Sequence, residues 1–378
     1  MSTTTNGPRR AVVFAPDSFK GTVSAAEAAQ LLAAGWAQVD PRVNAVLRPM
    51  ADGGEGTLDA FATALPGARR MPVRVDPPPG RGDAGTLEAE WLLLPPDTGA
   101  PGGTGVVELA STAGIMLLGA ELDPWGMDTR GFGQAIGAAL DHGVTRLLLA
   151  IGSSGSTDGG AGMLEALGAR FGGVGRVRGA RGLARVAAVD LSELRPLPSG
   201  GVEVLTDVAT PLLGPVGAAA VFGPQKGFRG GDIAMVDASL ARYARLFDVD
   251  PATSGAGAAG GTGFGLLAWG ARLRAGSARV GELIGLPAAV AAADLVVTGE
   301  GSYDAQSAAG KVPGHVASLA AAAGARVVLV CGRFEGGPLS SFPHVVSLAE
   351  LAGSPEAAMR DARRYLRAAG AEMARRTS

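Results

Sequence analysis

The chain reads as an α/β protein in which a parallel-sheet domain is interrupted by a second, inserted α/β domain. Three observations carry this reading. Short apolar runs end in polar or Gly-rich turns and lead into Ala/Leu-rich helical segments, the strand-turn-helix order of a parallel sheet. The texture changes after Pro77-Pro78-Pro79-Gly80-Arg81-Gly82, a stretch with the character of a linker or domain crossing. The C-terminal segment then recovers the opening texture, so both ends of the chain are expected to share one sheet. Its 378 residues are long for one core and comfortable for two. The expected division is 1–78 plus 276–378 for the discontinuous domain and 79–275 for the insertion. Any site is expected in the cleft between them, at strand carboxyl ends.

Taken in order, Arg10 to Pro16 (RAVVFAP) is a short apolar run ended by proline. Ser24 and Glu27 form a capping-box pair that opens a helix to about Gln38. Asn44 to Pro49 is a second strand candidate, leading through Asp52-Gly53-Gly54-Glu55-Gly56 into another helix. In the insertion, alternation over Thr86 to Leu94 and the run Gly105 to Ala110 suggest shorter strands. Thr145 to Gly152 (TRLLLAIG) and Val202 to Asp207 (VEVLTD) follow as further strand candidates. The Gly-rich segment 251–265 is read as flexible or tightly turning and as the possible return crossing. Asp294 to Gly299 and Arg326 to Gly332 are then buried parallel strands separated by helices.

Composition narrows the function. The formal net charge is −2, and no basic stripe interleaves with aromatics, which argues against nucleic acid and an anionic membrane as partners. Small-molecule chemistry is favoured. The single Cys331 excludes an intrachain disulfide and a cysteine metal cluster, so a metal would need carboxylates. No run approaches a membrane span and the N-terminus lacks a signal-peptide core, from which a cytoplasmic location is expected.

Only three lysines stand against 30 arginines, and each lies in a polar or Gly-rich cluster: Asp17-Ser18-Phe19-Lys20, Pro224-Gln225-Lys226-Gly227 and Gly310-Lys311-Val312-Pro313. A compact ammonium on a flexible stem suits phosphate, which makes Lys20, Lys226 and Lys311 candidates, with Asp17, Ser18 and Gln225 beside them. Two stretches match in register, Asp52 to Phe61 (DGGEGTLDAF) and Asp158 to Leu167 (DGGAGMLEAL). Each follows a strand candidate and starts a helix, whose unpaired N–H groups would face an anion. Asp52, Gly53, Gly54 and Glu55 are therefore phosphate-binding candidates. Ser153, Ser154, Ser156 and Thr157, in a loop of hydroxyls and small residues ending at Asp158, could cradle phosphoryl oxygens. Glu300 and Asp304, at a strand's carboxyl end with Lys311 close behind, fit a Mg²⁺-phosphate site. Asp207 or Asp158 is the candidate base.

Other patterns are dismissed. No Walker A sequence occurs, and the Gly255-Ala-Gly257-Ala-Ala-Gly260 fingerprint follows no strand, which leaves a nicotinamide oxidoreductase without support. His142, His315 and His344 form no catalytic constellation. A sensor that binds a hydroxy acid or nucleotide without catalysis remains the competing class.

Together, Ala15 to Gly21 (APDSFKG), Pro49 to Thr57 (PMADGGEGT), Gly152 to Gly162 (GSSGSTDGGAG), Phe222 to Gly227 (FGPQKG) and Thr298 to Gly301 with Gly310 to Pro313 resemble the bacterial glycerate kinase family, type 1. The resemblance spans nearly the whole chain. It implies a flavodoxin-like (Rossmann-type) domain with a second α/β domain inserted. It also implies transfer of phosphate from ATP to glycerate; 2-phosphoglycerate is the favoured product, the carboxylates at Glu300 and Asp304 make Mg²⁺ the expected metal, and a monomer or homodimer is expected. The chain departs from the family pattern at Gly314-His315, Thr210, Phe132 and Gln134.

Overall fold

The computed structural model describes residues 10–19, 21–79, 85–118, 122–304, 307, 311–336 and 339–377. Strands β1 (Ala11–Pro16) and β2 (Asn44–Leu47) come first. They are followed by β3 (Arg69–Val75), β4 (Leu87–Leu94), β5 (Thr104–Glu108), β6 (Arg146–Ala150), β7 (Arg170–Gly172), β8 (Ala188–Asp190), β9 (Val202–Leu205) and β10 (Arg272–Arg274). The chain closes with β11 (Leu295–Tyr303), β12 (Arg326–Phe334) and β13 (Val345–Ser347). Two compact units result. One holds the described residues up to Asp52, Asp59–Pro66 and those from Ser277 onward; the other holds Gly53–Leu58 and Gly67–Gly276.

In the first unit all five strands are parallel, in the order β2-β1-β11-β12-β13. Numbered within that sheet this is 2-1-3-4-5, the flavodoxin-like order, and the α/β fold class is the one the sequence predicts. Helices cover both faces, which is why β1 and the first three residues of β11, Leu295 to Val297, are continuous apolar runs rather than alternating ones. Phe14 of β1 meets Trp36 of the helix Ala25–Ala37 edge-on, with centroids 6.0 Å apart. The predicted cap is in place: Ser24 Oγ accepts the Glu27 N–H at 3.2 Å.

The second unit carries a six-stranded sheet in the order β10-β9-β6-β5-β4-β3, together with the separate β7-β8 pair. Strands β10, β9, β6 and β5 run parallel, while β4 and β3 are antiparallel additions. Its core packs Val107, Leu147, Leu149 and Val204 of the sheet with Phe132, Ile136, Tyr243 and Phe264 of the helices.

The units divide elsewhere than at residue 79. Strand β3 pairs with β4 from Arg69 opposite Leu93 to Val75 opposite Leu87, so Pro77–Pro79 lie within a connection of the second sheet. A proline run marks the end of a strand whether a hairpin or a domain crossing follows. Segment 251–265 is not the return crossing. Ala256, Ala258 and Phe264 are fully buried, and the helical segment Ala258–Trp269 kinks at Ala259, Gly260 and Gly261. The chain returns to the first unit only after β10, at Ser277. Among the described residues no helix is long and apolar enough to cross a membrane.

Candidate active site

At the carboxyl end of β1, Asp17 donates its backbone N–H to Gly299 O of β11 at 2.8 Å. This closes the crevice at the point where the sheet order reverses. Phe19 and Val23 then bridge into a tight turn, in which Thr22 Oγ1 donates to Phe19 O at 2.6 Å. The ends of β11 and β12 contribute Glu300, Gly301, Ser302, Gly332 and Arg333, and the segment after β2 contributes Asp52. With Ser18, Asp304, Lys311 and Glu335 they line a cavity of about 540 Å³ contained in the first unit.

The lining of this cavity is acidic: among the described residues Asp17, Asp52, Glu300, Asp304 and Glu335 stand against Lys311 and Arg333. Arg333 is held by Glu335 at 2.6 Å, whereas Lys311, at the start of the helix Val312–Ala323, makes no ion pair among the described residues. Two neighbours register the negative potential. Burial first, and then Glu300, push the Cys331 thiol up to about 12 and raise the Tyr303 hydroxyl. Asp304 Oδ1 accepts from Ser307 N–H at 2.9 Å and from its hydroxyl at 3.1 Å.

Among the described residues no group of three or more His, Cys, Asp or Glu side chains could hold a metal ion unaided. Mg²⁺ does not require one, since it keeps several waters and takes one or two carboxylates plus substrate oxygens. A polyphosphate entering so acidic a mouth would be repelled without a bridging cation, and the donor set at Glu300 and Asp304 fits Mg²⁺ on that ground.

In the second unit the Ser-rich loop is internal. Ile115 N–H donates to Ser153 O and Gly155 N–H to Ala113 O, both at 2.9 Å, which fastens the loop along residues 113–115. Ser153 sits at φ 59°, while Ser156 and Thr157 are buried and their hydroxyl oxygens have no hydrogen-bond partner. Lys226 is 3% exposed; its Nζ donates to Ser154 Oγ at 2.8 Å and to Ser156 O. Burial pulls this ammonium down to about 7 against the opposing influence of Asp158.

Asp158 is fully buried and held by four donors: Thr129 N–H and hydroxyl at 2.9 and 2.8 Å, and the N–H groups of Gly160 and Gly162 at 3.1 Å. Burial nevertheless raises its pKa. The start of the helix Thr57–Ala64 is likewise occupied by a carboxylate. Glu108 accepts from Gly56 N–H at 3.3 Å and Leu58 N–H at 3.1 Å. Both helix starts expected to face phosphate are thus closed by the protein's own carboxylates.

Three comparisons bear on this geometry. The model of the glycerate kinase family matches residues 12–378. The chain belongs to that family. A glycerate kinase of Halalkalibacterium halodurans is 38% identical over 349 residues, 89% of either chain. A glycerate 2-kinase of Escherichia coli K12 is 39% identical over 321 residues, covering 82% of this chain and 81% of its own. The crystal structure of a protein provisionally named glycerate kinase 2, from Salmonella typhimurium LT2, superposes with a TM-score of 0.80 at 35% identity over 98% of both chains. As a member of the glycerate kinase family, the chain is an ATP-dependent kinase acting on glycerate.

Set against this family membership, the cavity brings together Asp17, Ser18, Asp52, Glu300, Asp304 and Lys311. Lys20 lies outside the described residues. Gly53, Gly54 and the exposed Glu55 belong to the second unit, as do Ser153, Ser154, Ser156, Thr157, Asp158 and Lys226. Their hydrogen bonds assign Ser154, Asp158 and Lys226 to the interior of that unit rather than to a solvent-facing cradle. Gln225 is exposed in a turn, and the exposed Asp207 caps with Oδ1 the N–H of Gly276 at 2.7 Å. Two departures from the family pattern are structural: Phe132 is fully buried, and Gln134 Oε1 accepts from Asp76 N–H. Sequence reasoning missed Arg333 and Glu335, although their place just past an apolar strand was the signal. It also missed an apolar wall of the cavity, which comes from helix faces and has no motif.

Proposed function

We propose that the chain transfers the γ-phosphoryl group of Mg-ATP to the 2-hydroxyl of D-glycerate, giving 2-phosphoglycerate and ADP, and that the cavity at the ends of β1, β2, β11 and β12 handles the Mg-phosphate. The observation that carries the assignment is the joining of Asp17, Asp52, Glu300, Asp304 and Lys311 around one cavity at the switch point of the sheet. The 2-position is supported by the name of the Escherichia coli relative, a glycerate 2-kinase at 39% identity.

Phosphoryl transfer asks the protein chiefly for in-line positioning and charge neutralisation. Glu300 and Asp304 are the residues that would hold Mg²⁺, which would supply neutralisation of phosphate charge there. Lys311 neutralises charge on the transferred group, with Lys20 in the same role, and the Ser18 hydroxyl orients the phosphates, while Asp17 lines the same cavity. Asp207 is the candidate base that orients the acceptor hydroxyl. Asp158 is replaced in that role, since its oxygens are consumed within the fold.

Phosphorus NMR of the purified protein with Mg-ATP and D-glycerate tests the proposal. A glycerate-dependent phosphomonoester split into a doublet by the single C2 proton is expected. A triplet would place the phosphate on the 3-hydroxyl, and unchanged ATP would overturn the kinase assignment in favour of a binding-only protein.

A further inference from the structure

The 540 Å³ cavity has two chemically distinct halves. Beside its acidic residues, the lining includes Phe19, Leu348, Pro355, Ala358, Met359 and Ala362, none of them charged. This apolar wall is built by three consecutive helices, Leu348–Ala352, Pro355–Arg360 and Ala362–Thr377, where the chain passes beside the end of β12. Met359 is 62% exposed, among the largest exposures of any large apolar side chain described, and it also borders an adjoining space of about 250 Å³ lined by Thr22 and Ala362 and by the charged Arg360, Asp361 and Arg363. Such a side chain at a cavity wall presents a polarizable, adaptable surface that lacks an occupant of its own kind.

The occupant follows from size and chemistry. Glycerate is a three-carbon acid whose every carbon bears oxygen; it has no apolar surface to cover this wall. Cavities of about 300–1,000 Å³ suit ligands far larger than glycerate. A ligand with polyphosphate at one end and a flat, weakly polar ring at the other matches both halves. We propose that this wall receives the nucleobase of the phosphoryl donor, with Met359 against the ring, and that it holds the base by apolar contact without reading its edge.

The second part of the proposal rests on where the polar groups beside the wall are spent. Thr22 Oγ1 donates to Phe19 O at 2.6 Å, and Ser354 Oγ accepts the Ala357 N–H at 3.2 Å to cap its helix. Among the described residues, the apolar half carries no amide, carboxylate or cationic side chain to read the edge of adenine. Sites that bind a substrate's polar edge reject analogues by roughly 10⁴-fold or more, whereas apolar pockets discriminate by at most about a hundredfold. GTP should therefore serve as donor with kcat/KM within about a hundredfold of ATP.

The inference rests on the kinase assignment, so the experiment separates the two. Glycerate phosphorylation by the wild-type protein is measured first; its absence would remove the kinase reading and this inference with it. With activity in hand, Met359→Ser, at an exposed position that folding does not depend on, is expected to raise KM for MgATP about tenfold. KM for glycerate should move less than about twofold, and inhibition by magnesium tripolyphosphate, which has no base, should be unchanged within the same margin. An unchanged KM for MgATP, a shifted KM for glycerate, or equal loss of tripolyphosphate binding would each overturn the assignment of the wall to the base. A preference for ATP over GTP above about a hundredfold would overturn recognition by apolar contact alone.

Discussion

Lys226 reaches Ser154 across 72 positions of sequence, placing an ammonium 2.8 Å from a buried hydroxyl in the interior of the second unit. A lysine that the sequence offers to phosphate is spent there on holding the loop that the sequence also offers to phosphate. Its ammonium is pulled down to about 7 by burial.

That shift makes a pH prediction. The folded protein binds this proton less well than the unfolded chain, so stability rises as pH increases above about 7, toward the unfolded lysine value, by at most about 1.4 kcal/mol per pH unit. Urea unfolding between pH 7 and 9 should show the rise in the wild type. Lys226→Met should flatten it, and equal slopes in the two proteins would exclude Lys226 as its source.

Asp128 titrates in the opposite sense. Burial first, and then Asp158, raise its carboxyl to about 6; Oδ1 accepts the Arg130 N–H, while Oδ2 is buried without a hydrogen-bond partner. Below the unfolded value the group is neutral in both states. As pH rises through about 6 the folded state must carry a buried charge, so stability falls over that interval. Asp128→Asn should stabilise the protein at pH 7 by about 1–3 kcal/mol and leave stability flatter between pH 4 and 6. A destabilised variant at neutral pH would refute this account.

Gly53 is required by packing. It has φ +91°, and an added Cβ would lie 2.3 Å from Leu205 O, while its own carbonyl accepts the Gly152 N–H at 2.9 Å. Gly53→Ala should cost about 2 kcal/mol or more in denaturant unfolding. A variant of normal stability but weakened ATP affinity would instead return Gly53 to phosphate binding.

Lys311→Met and Lys20→Met should each lower kcat/KM for MgATP by about a hundredfold or more, with the unfolding midpoint unchanged. Glu300→Gln should raise the Mg²⁺ concentration needed for half-maximal rate by about tenfold. A rate that saturates at the wild-type Mg²⁺ level would take Glu300 away from the metal.

Asp207→Asn keeps an oxygen for the Gly276 N–H but removes the charge. A drop in kcat of about a hundredfold is expected of a general base, and near-normal turnover would discard that role.

Strands β1, β2, β4, β5, β6, β9, β11 and β12, the Ser24 cap and the parallel first sheet were legible because they follow from local rules: apolar runs, a hydroxyl three residues before a carboxylate, and proline stops. Glu300, Asp304 and Lys311 were read as candidates for the same reason, as polar residues at the end of an apolar run, and the three line one cavity. Local chemistry could not say which of two equivalent Asp-Gly-Gly starts and three lysine clusters would face a cavity. That depended on partners distant in sequence: Glu108 closing the start of the helix after Gly56, Thr129 clamping Asp158, and Ser154 receiving Lys226. Met359 and its wall had no signature at all, because an apolar surface for a ligand and one for the core are written in the same residues. Local residue patterns specify most of the longer strands, the parallel first sheet and the family. Which charges stay in the cavity and which are neutralised inside is set by the folded chain, since burial and long-range pairing fix the free energy of each charge.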